Sequence, residues 1–306
     1  MVQRINKENF SDFVQLYNEV YGKNKSEAYL QQKYATEYTK HTYLGYLAYD
    51  KKSKKAIAYY GVIPYCFYYK GKKYLGAQAV DAATLKTHRI KGLFTALIQE
   101  VAQLLKENDF YFIYGFPNDK SYVGLKKSGW SFLPKMQRFS MKLKALPLQK
   151  IAHRLSFTQN LNQGYIESCL KKYLCNPQNN SLLQEGLATW RDGNFYDYRN
   201  FSPKYFIKLG TTVLWIKVST MLAIGDIHIS NEEEFPQVVE SLKSLAFKLG
   251  VNEIVFHCSP TVKAAKLFAA HFDTFDSWHI GYEIINPHDD VPIDALQFNL
   301  GDLDTF

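Results

Sequence analysis

The sequence predicts two α/β domains, each a mixed sheet with helices packed against it. Three observations lead there. Strand-type and helix-type periodicities alternate in both halves, a strongly amphipathic helix follows a long strand in the first half, and 306 residues suffice for two domains of ordinary size. The expected domains are residues 1–145 and 146–306.

The first elements are helical. Residues 11–20 set Phe13, Val14, Leu16, Tyr17 and Val20 at helical spacing, and a polar helix is expected over 25–38. The period then changes. Residues 43–49 and 55–64 are rich in aromatic and β-branched side chains and flank the turn-like run DKKSKK, which suggests an antiparallel hairpin. A third strand over 63–69 reaches a turn at 70–73, and a fourth covers 74–83.

From Leu93 the residues Leu93, Phe94, Leu97, Ile98, Val101, Leu104 and Leu105 recur at three- and four-residue intervals, so one face of a helix is apolar and must pack on a sheet. Residues 110–114 form a short apolar strand ending in GFPN, a helix over 120–127 comes next, and Gly129–Trp130 leads into a strand ending near Met141. A linking helix is expected over 145–171, and the polar run 176–180, containing Pro177, marks the junction region.

The second half repeats this order. Strands are expected at 213–218 and 221–229, then a helix whose apolar face includes Phe235, Val239, Leu242 and Leu249 and which Gly250 ends. A strand at 253–258, a helix at 262–270 and a strand at 278–285 mirror the elements after Ala83 in the first half. The likeness lies in element order and points to a duplicated fold.

With 46% apolar and 22% charged residues, the composition is that of a folded globular chain and excludes disorder. The net charge of +8 selects anionic partners without choosing among nucleotide-like cofactors, sugar nucleotides, nucleic acids and anionic membranes. Lysines 51, 52, 54, 55, 70, 72 and 73 fall at hairpin turns, where they read as solubilising, so no nucleic-acid partner is expected. Cys66, Cys169, Cys175 and Cys258 lack paired spacing and read as reduced thiols of a cytoplasmic protein, with no zinc site or other metal. Residues 1–10 do not resemble a secretion signal, and no run approaches the roughly 20 apolar residues of a membrane span.

The most informative segment is DAATLKTHRIKGLFTALIQEVAQLL, residues 81–105. A helix N-terminus presents unpaired amides and the positive end of its dipole, which suits a pyrophosphate. Arg89, Lys91 and Gly92 stand at that point: glycine lets the backbone approach a phosphate, and the cations add charge-assisted contacts.

This segment resembles the acyl-CoA-binding motif of the GCN5-related N-acetyltransferase (GNAT) superfamily: Arg or Gln, two residues, Gly, one residue, then Gly or Ala. Here those positions are Arg89, Gly92 and Phe94, and Phe94 departs from the small residue of the pattern. The resemblance implies an acyl-CoA N-acyltransferase fold, tandem with a second, degenerate GNAT-like domain. It implies that strands 74–83 and 110–114 splay to admit the pantetheine arm. Ala82, Leu85, Arg89, Ile90, Lys91, Gly92, Leu93 and Phe94 would then serve acyl-CoA. Asn118 and the Gly129–Trp130 pair fit further positions of the same pattern.

The tyrosine that often protonates the departing thiolate falls at Leu125, and Tyr122, one helical turn earlier, is the substitute candidate. Asp81 is the candidate base, and His88 a candidate for proton transfer or phosphate binding; either residue can also be a turn cap or a solvated loop residue. A backbone amide near Ala82 would hold the oxyanion.

The runs FYDYRNFSPKYF and FNLGDLDTF resemble two-domain acyltransferase-like proteins associated with bacterial surface polysaccharide synthesis. Arg199 can serve an anionic or sugar acceptor, or pair with Asp302 or Asp304. The second half lacks an Arg-x-x-Gly before Phe235, so one cofactor per chain is expected, and its role is to complete an acceptor cleft or support a homodimer. The function implied is transfer of an acyl group, most simply acetyl, to an amine acceptor such as an amino sugar or sugar nucleotide. The alternative is a noncatalytic ligand-binding or scaffold protein retaining the fold.

Overall fold

Two units divide the chain: Met1–Leu133 with Asp192–Phe201 and His279–Pro292, and Pro134–Arg191 with Ser202–Trp278 and Ile293–Phe306. The structure is a computed structural model describing residues 1–89, 92–154, 159–288 and 291–306, with the side chains at 120, 153, 154, 159 and 160 outside that description.

The first unit is built on strands β1 (Val2–Arg4), β2 (Gly45–Tyr49), β3 (Ala56–Tyr69), β4 (Lys72–Thr84), β5 (Phe112–Gly115) and β6 (Ser131–Leu133). Their order is β1-β2-β3-β4-β5, then the late strand Ile280–Ile284, then β6. β3 and β4 form a long hairpin closed by Lys70 and Gly71, both at positive φ, the geometry of a tight two-residue turn. Strand β3 replaces the two strands expected over 55–69. Pro64 lies beyond the pairing with β2, which ends at Gly45 and Gly61, so its missing N–H costs no bond to that neighbour.

Helices cover both faces of this sheet. α1 (Phe10–Tyr21) sets Phe13 4.3 Å from Tyr59, and α3 (Leu93–Glu107) sets Phe94 5.5 Å from Tyr60, the next residue of the same strand. Adjacent strand residues point to opposite faces, so the two helices lie on opposite sides. Leu97, Ile98, Val101, Leu104 and Leu105 are buried, each contributing roughly 1.5–3 kcal/mol. The helix expected over 25–38 is shorter, α2 (Glu27–Lys33), capped by Ser26. α4 (Asp119–Lys127) comes after β5.

In the second unit, β7 (Gln137–Lys142), a two-residue β8 (Ala188–Thr189), β9 (Tyr205–Leu209), β10 (Thr212–Val218), β11 (Leu222–His228), β12 (Glu253–Cys258) and β13 (Asp273–Asp276) occur in chain order. The sheet runs β13-β7-β12-β11-β10-β9. Helix Phe235–Leu249 packs its expected apolar face here and ends at Gly250, φ 68°. Helices Leu148–Arg154 and Gln159–Leu170 stand where a single linking helix is expected; residues 155–158 lie outside the described residues.

The sequence suggests one junction near 145, and the pairing divides the chain otherwise. β7, expected to finish the first sheet, pairs with β12 and β13 of the second; the strand Ile280–Ile284, expected in the second, pairs with β5 and β6 of the first. Periodicity reveals that a strand exists but not which edge receives it.

Buried polar groups knit the second unit. Arg191 Nη1 lies 2.8 Å from Asp226 Oδ2, and its Nη2 lies 2.6 Å from both Asp302 Oδ1 and Asn299 Oδ1. Asp302 thus pairs with Arg191 rather than with Arg199. Arg199 ends the helix Gly193–Arg199 in the first unit, 1% exposed, and donates to Tyr65 Oη at 3.1 Å.

Candidate active site

The site begins at an irregularity in the β3–β4 hairpin. Gly61 pairs with Val80 and Tyr59 with Ala83, so Tyr60 alone faces Asp81 and Ala82, a β-bulge. Asp81 adopts φ 50°, a left-handed conformation that aspartate tolerates better than most residues. Its Oδ2 lies 2.6 Å from Lys33 Nζ and accepts from Tyr34 Oη at 2.9 Å. Burial first, and then the Asp81 carboxylate, push the Tyr34 hydroxyl well up, keeping it a donor. Tyr198 Oη, from the helix Gly193–Arg199, donates to the Lys33 carbonyl at 2.8 Å. This engagement favours a positioning role for Asp81 over proton acceptance. Ala82, the second bulge residue, is exposed, and its carbonyl accepts from Tyr21 Oη at 2.9 Å.

Beside the bulge the parallel ladder stops. β4 pairs with β5 only through Gly76–Phe112, Ala77–Ile113 and Gln78–Tyr114, while β4 continues to Thr84 along β3. The chain then turns through a short 3-10 segment, Lys86–His88, anchored by the Leu85 amide on the Ile57 carbonyl at 2.9 Å. His88 Nδ1 meets Thr87 Oγ1 at 2.9 Å, and Arg89 is exposed. Ile90 and Lys91 lie outside the described residues.

α3 starts at Gly92, φ 96°, and no side chain among the described residues caps it. A Cβ built on Gly92 meets no atom of the described residues within 4 Å, its chain neighbours apart. Leu93 and Phe94 are half-buried, with Phe94 turned against Tyr60. This start can receive an anion: a fifteen-residue helix whose N-cap, Gly92, is exposed and makes no side-chain cap bond, with Arg89 three residues earlier in the chain.

α4 begins differently. Asn118 caps it, accepting from the Ser121 amide at 3.0 Å, and Leu125 is buried in the core. The half-buried Tyr122 packs against two rings, stacked 4.2 Å from His279 and tilted 4.4 Å from Phe132. His279 Nε2 also meets Asp119 Oδ1 at 3.2 Å. Sequence reasoning did not single out Glu283, a half-buried carboxyl that burial pushes up in pKa. A lone glutamate in a late strand carries no spacing signal.

The fold and this helix start define the class: a mixed α/β protein with the acyl-CoA N-acyltransferase architecture, repeated in a second unit. Residues 1–133 match the family model of the acetyltransferase (GNAT) domain. Solved structures of similar fold extend the likeness. A GCN5-related N-acetyltransferase from Kribbella flavida shares 10% identity at a TM-score of 0.61, covering 93% of this chain and 70% of that one. A conserved protein from Enterococcus faecalis V583, described as a probable N-acyltransferase, shares 13% at 0.61, covering 93% and 72%. Saccharomyces cerevisiae N-myristoyltransferase with bound myristoyl-CoA and inhibitors shares 11% at 0.56, covering 92% and 79%. No curated protein matches the chain.

Proposed function

We propose that the first unit is an acyl-CoA-dependent N-acyltransferase, most simply an acetyltransferase, acting on an amine acceptor. The observation that carries this reading is the exposed start of α3 at Gly92, without a side-chain cap among the described residues, three residues after Arg89 and next to the point where β4 and β5 cease to pair. The bound acyl-CoA would supply an activated thioester.

The chain's own residues then have separable tasks. The α3 amides and Arg89, with Ile90 and Lys91 completing the loop, hold the pyrophosphate; Leu85, Leu93 and Phe94 give that loop its apolar anchorage. The unpaired stretch of β4 offers backbone groups to an extended arm. Asp81, fixed by Lys33 and Tyr34, holds the bulge that presents Ala82, whose amide is suited to an oxyanion. Tyr122, packed against His279 and Phe132, donates a proton to the leaving sulfur. His88 lies on the loop and takes a proton there or assists the phosphate. Asn118 fixes the start of the helix that carries Tyr122.

For the acceptor we propose an amino sugar or its nucleotide-linked form: the resemblance of the runs FYDYRNFSPKYF and FNLGDLDTF to proteins of surface polysaccharide synthesis supports a sugar, and the excess positive charge supports the anionic, nucleotide-linked form. A second reading, a ligand-binding protein without turnover, is favoured by Leu125 lying buried in the core and Phe94 filling the small-residue position. Thiol release from acetyl-CoA across a panel of amines that includes glucosamine separates the two. Acceptor-dependent, saturable release supports the enzyme; acetyl-CoA binding without release supports the second reading.

A further inference from the structure

The second unit leaves an apolar surface uncovered. α5 (Leu148–Arg154), α6 (Gln159–Leu170) and the last turn of helix Phe235–Leu249 meet there. Gln149, buried near the start of α5, donates through Nε2 to the Leu249 carbonyl at 2.8 Å and exchanges side-chain hydrogen bonds with Asn162 of α6 at 2.8 and 3.0 Å. Tyr165 Oη of α6 donates to the Lys248 carbonyl at 2.5 Å, and Leu148 packs on Gly250, where a Cβ would stand 2.7 Å from it. These bonds lock the three elements into one surface.

Its side chains are apolar and face water. Leu146 and Leu161 are 75% and 78% exposed, and Leu148, Ile151, Tyr165 and Phe247 are exposed as well. Leu148 and Ile151 stand three apart on α5, and Leu161 and Tyr165 four apart on α6, so each pair shares one side of its helix. A single exposed leucine is ordinary, but a group of them on joined elements marks a surface that meets a partner.

The charge around the patch selects that partner. Lys142, Lys144, Lys150 and Lys248 are exposed, and the sequence from Met141 to Ile151 holds no aspartate or glutamate. Glu167 is the first acid of α6, and it lies about 200° round the helix from Tyr165. A second copy docked face to face would set the same lysines against one another, which is unfavourable. An anionic bilayer satisfies both features, because leucine, isoleucine and aromatic side chains enter the headgroup boundary while lysines stay with the phosphates. Helices of seven and twelve residues are too short to span a bilayer, so the contact lies in the plane of its surface.

We infer that this face of the second unit docks on an anionic lipid bilayer, with Leu146, Ile151 and Leu161 inserted and Lys144 and Lys150 at the headgroups. The inference does not rest on acyl transfer by the first unit. Co-sedimentation of the full chain with vesicles of equal parts phosphatidylcholine and phosphatidylglycerol, and with vesicles of phosphatidylcholine alone, tests it. Saturable binding to the anionic vesicles is expected, and about tenfold weaker binding to the neutral ones.

Leu146→Ser combined with Leu161→Ser should weaken binding about tenfold, and Lys144→Glu combined with Lys150→Glu about as much on the anionic vesicles. Phe275→Ser removes an exposed ring from β13 instead and should leave binding unchanged. Each variant should keep the circular dichroism and thermal midpoint of the parent, since the substituted side chains are exposed. The proposal is overturned by no binding to anionic vesicles, by equal affinity for the two vesicle types, or by a leucine pair that weakens binding no more than Phe275→Ser does. A concentration-dependent dimer that the leucine substitutions dissolve, without vesicle binding, would overturn it in favour of a second copy.

Discussion

Lys33 Nζ lies 2.6 Å from Asp81 Oδ2, joining the last residue of α2 to a bulged strand residue held at positive φ. Both side chains are close to nine-tenths buried, so the pair fixes the bulge from beneath. Removing one partner leaves an uncompensated buried charge, which costs more than the pair itself contributes.

Asp81→Asn keeps an acceptor for Tyr34 but strands the Lys33 ammonium. A loss of about 3 kcal/mol in urea denaturation is expected, within the range for broken buried pairs. A companion Lys33→Met in the same chain should restore part of it. Loss of acyl transfer without loss of stability would instead identify Asp81 as the base.

Tyr122→Phe keeps the stacked ring and removes only the hydroxyl. If Tyr122 protonates the leaving thiolate, kcat should fall about a hundredfold with KM nearly unchanged. An unchanged kcat would leave the ring a packing element against His279 and Phe132.

His257 sets a pH limit on the second unit. Burial, and secondarily Arg138, push its imidazole down to about 3, while Nδ1 meets Ser277 Oγ at 2.8 Å and the ring stacks 4.5 Å from Trp278. An unfolded histidine takes up its proton near about 6.5, which the folded one refuses, so stability is present above that value and falls as pH drops toward 3. Denaturation midpoints measured from pH 7 to pH 4 should decline, and His257→Gln should make the decline shallower.

Much of this was legible locally. The apolar stripe from Leu97 to Leu105, the strand before it and the lysine-rich turns come from spacing and turn chemistry over a few residues. Nonlocal partners were not legible. Nothing near Asp81 points to Lys33, 48 positions away, and Arg191 in the run TWRDG gives no sign of meeting Asp226 and Asp302. The exchange of β7 and the strand Ile280–Ile284 escaped for the same reason: an edge strand reads alike whichever sheet receives it.

Titration calorimetry of the intact chain and of Gly92→Glu with acetyl-CoA tests the central claim most directly. At φ 96° a glutamate at position 92 is strained, and it brings a carboxylate to the start of α3, where the phosphates would lie. Saturable binding by the parent, weakened at least tenfold (about 1.4 kcal/mol) in a variant with unchanged circular dichroism, is the expected result. Absence of binding by the parent, or equal affinity in the variant, would contradict it.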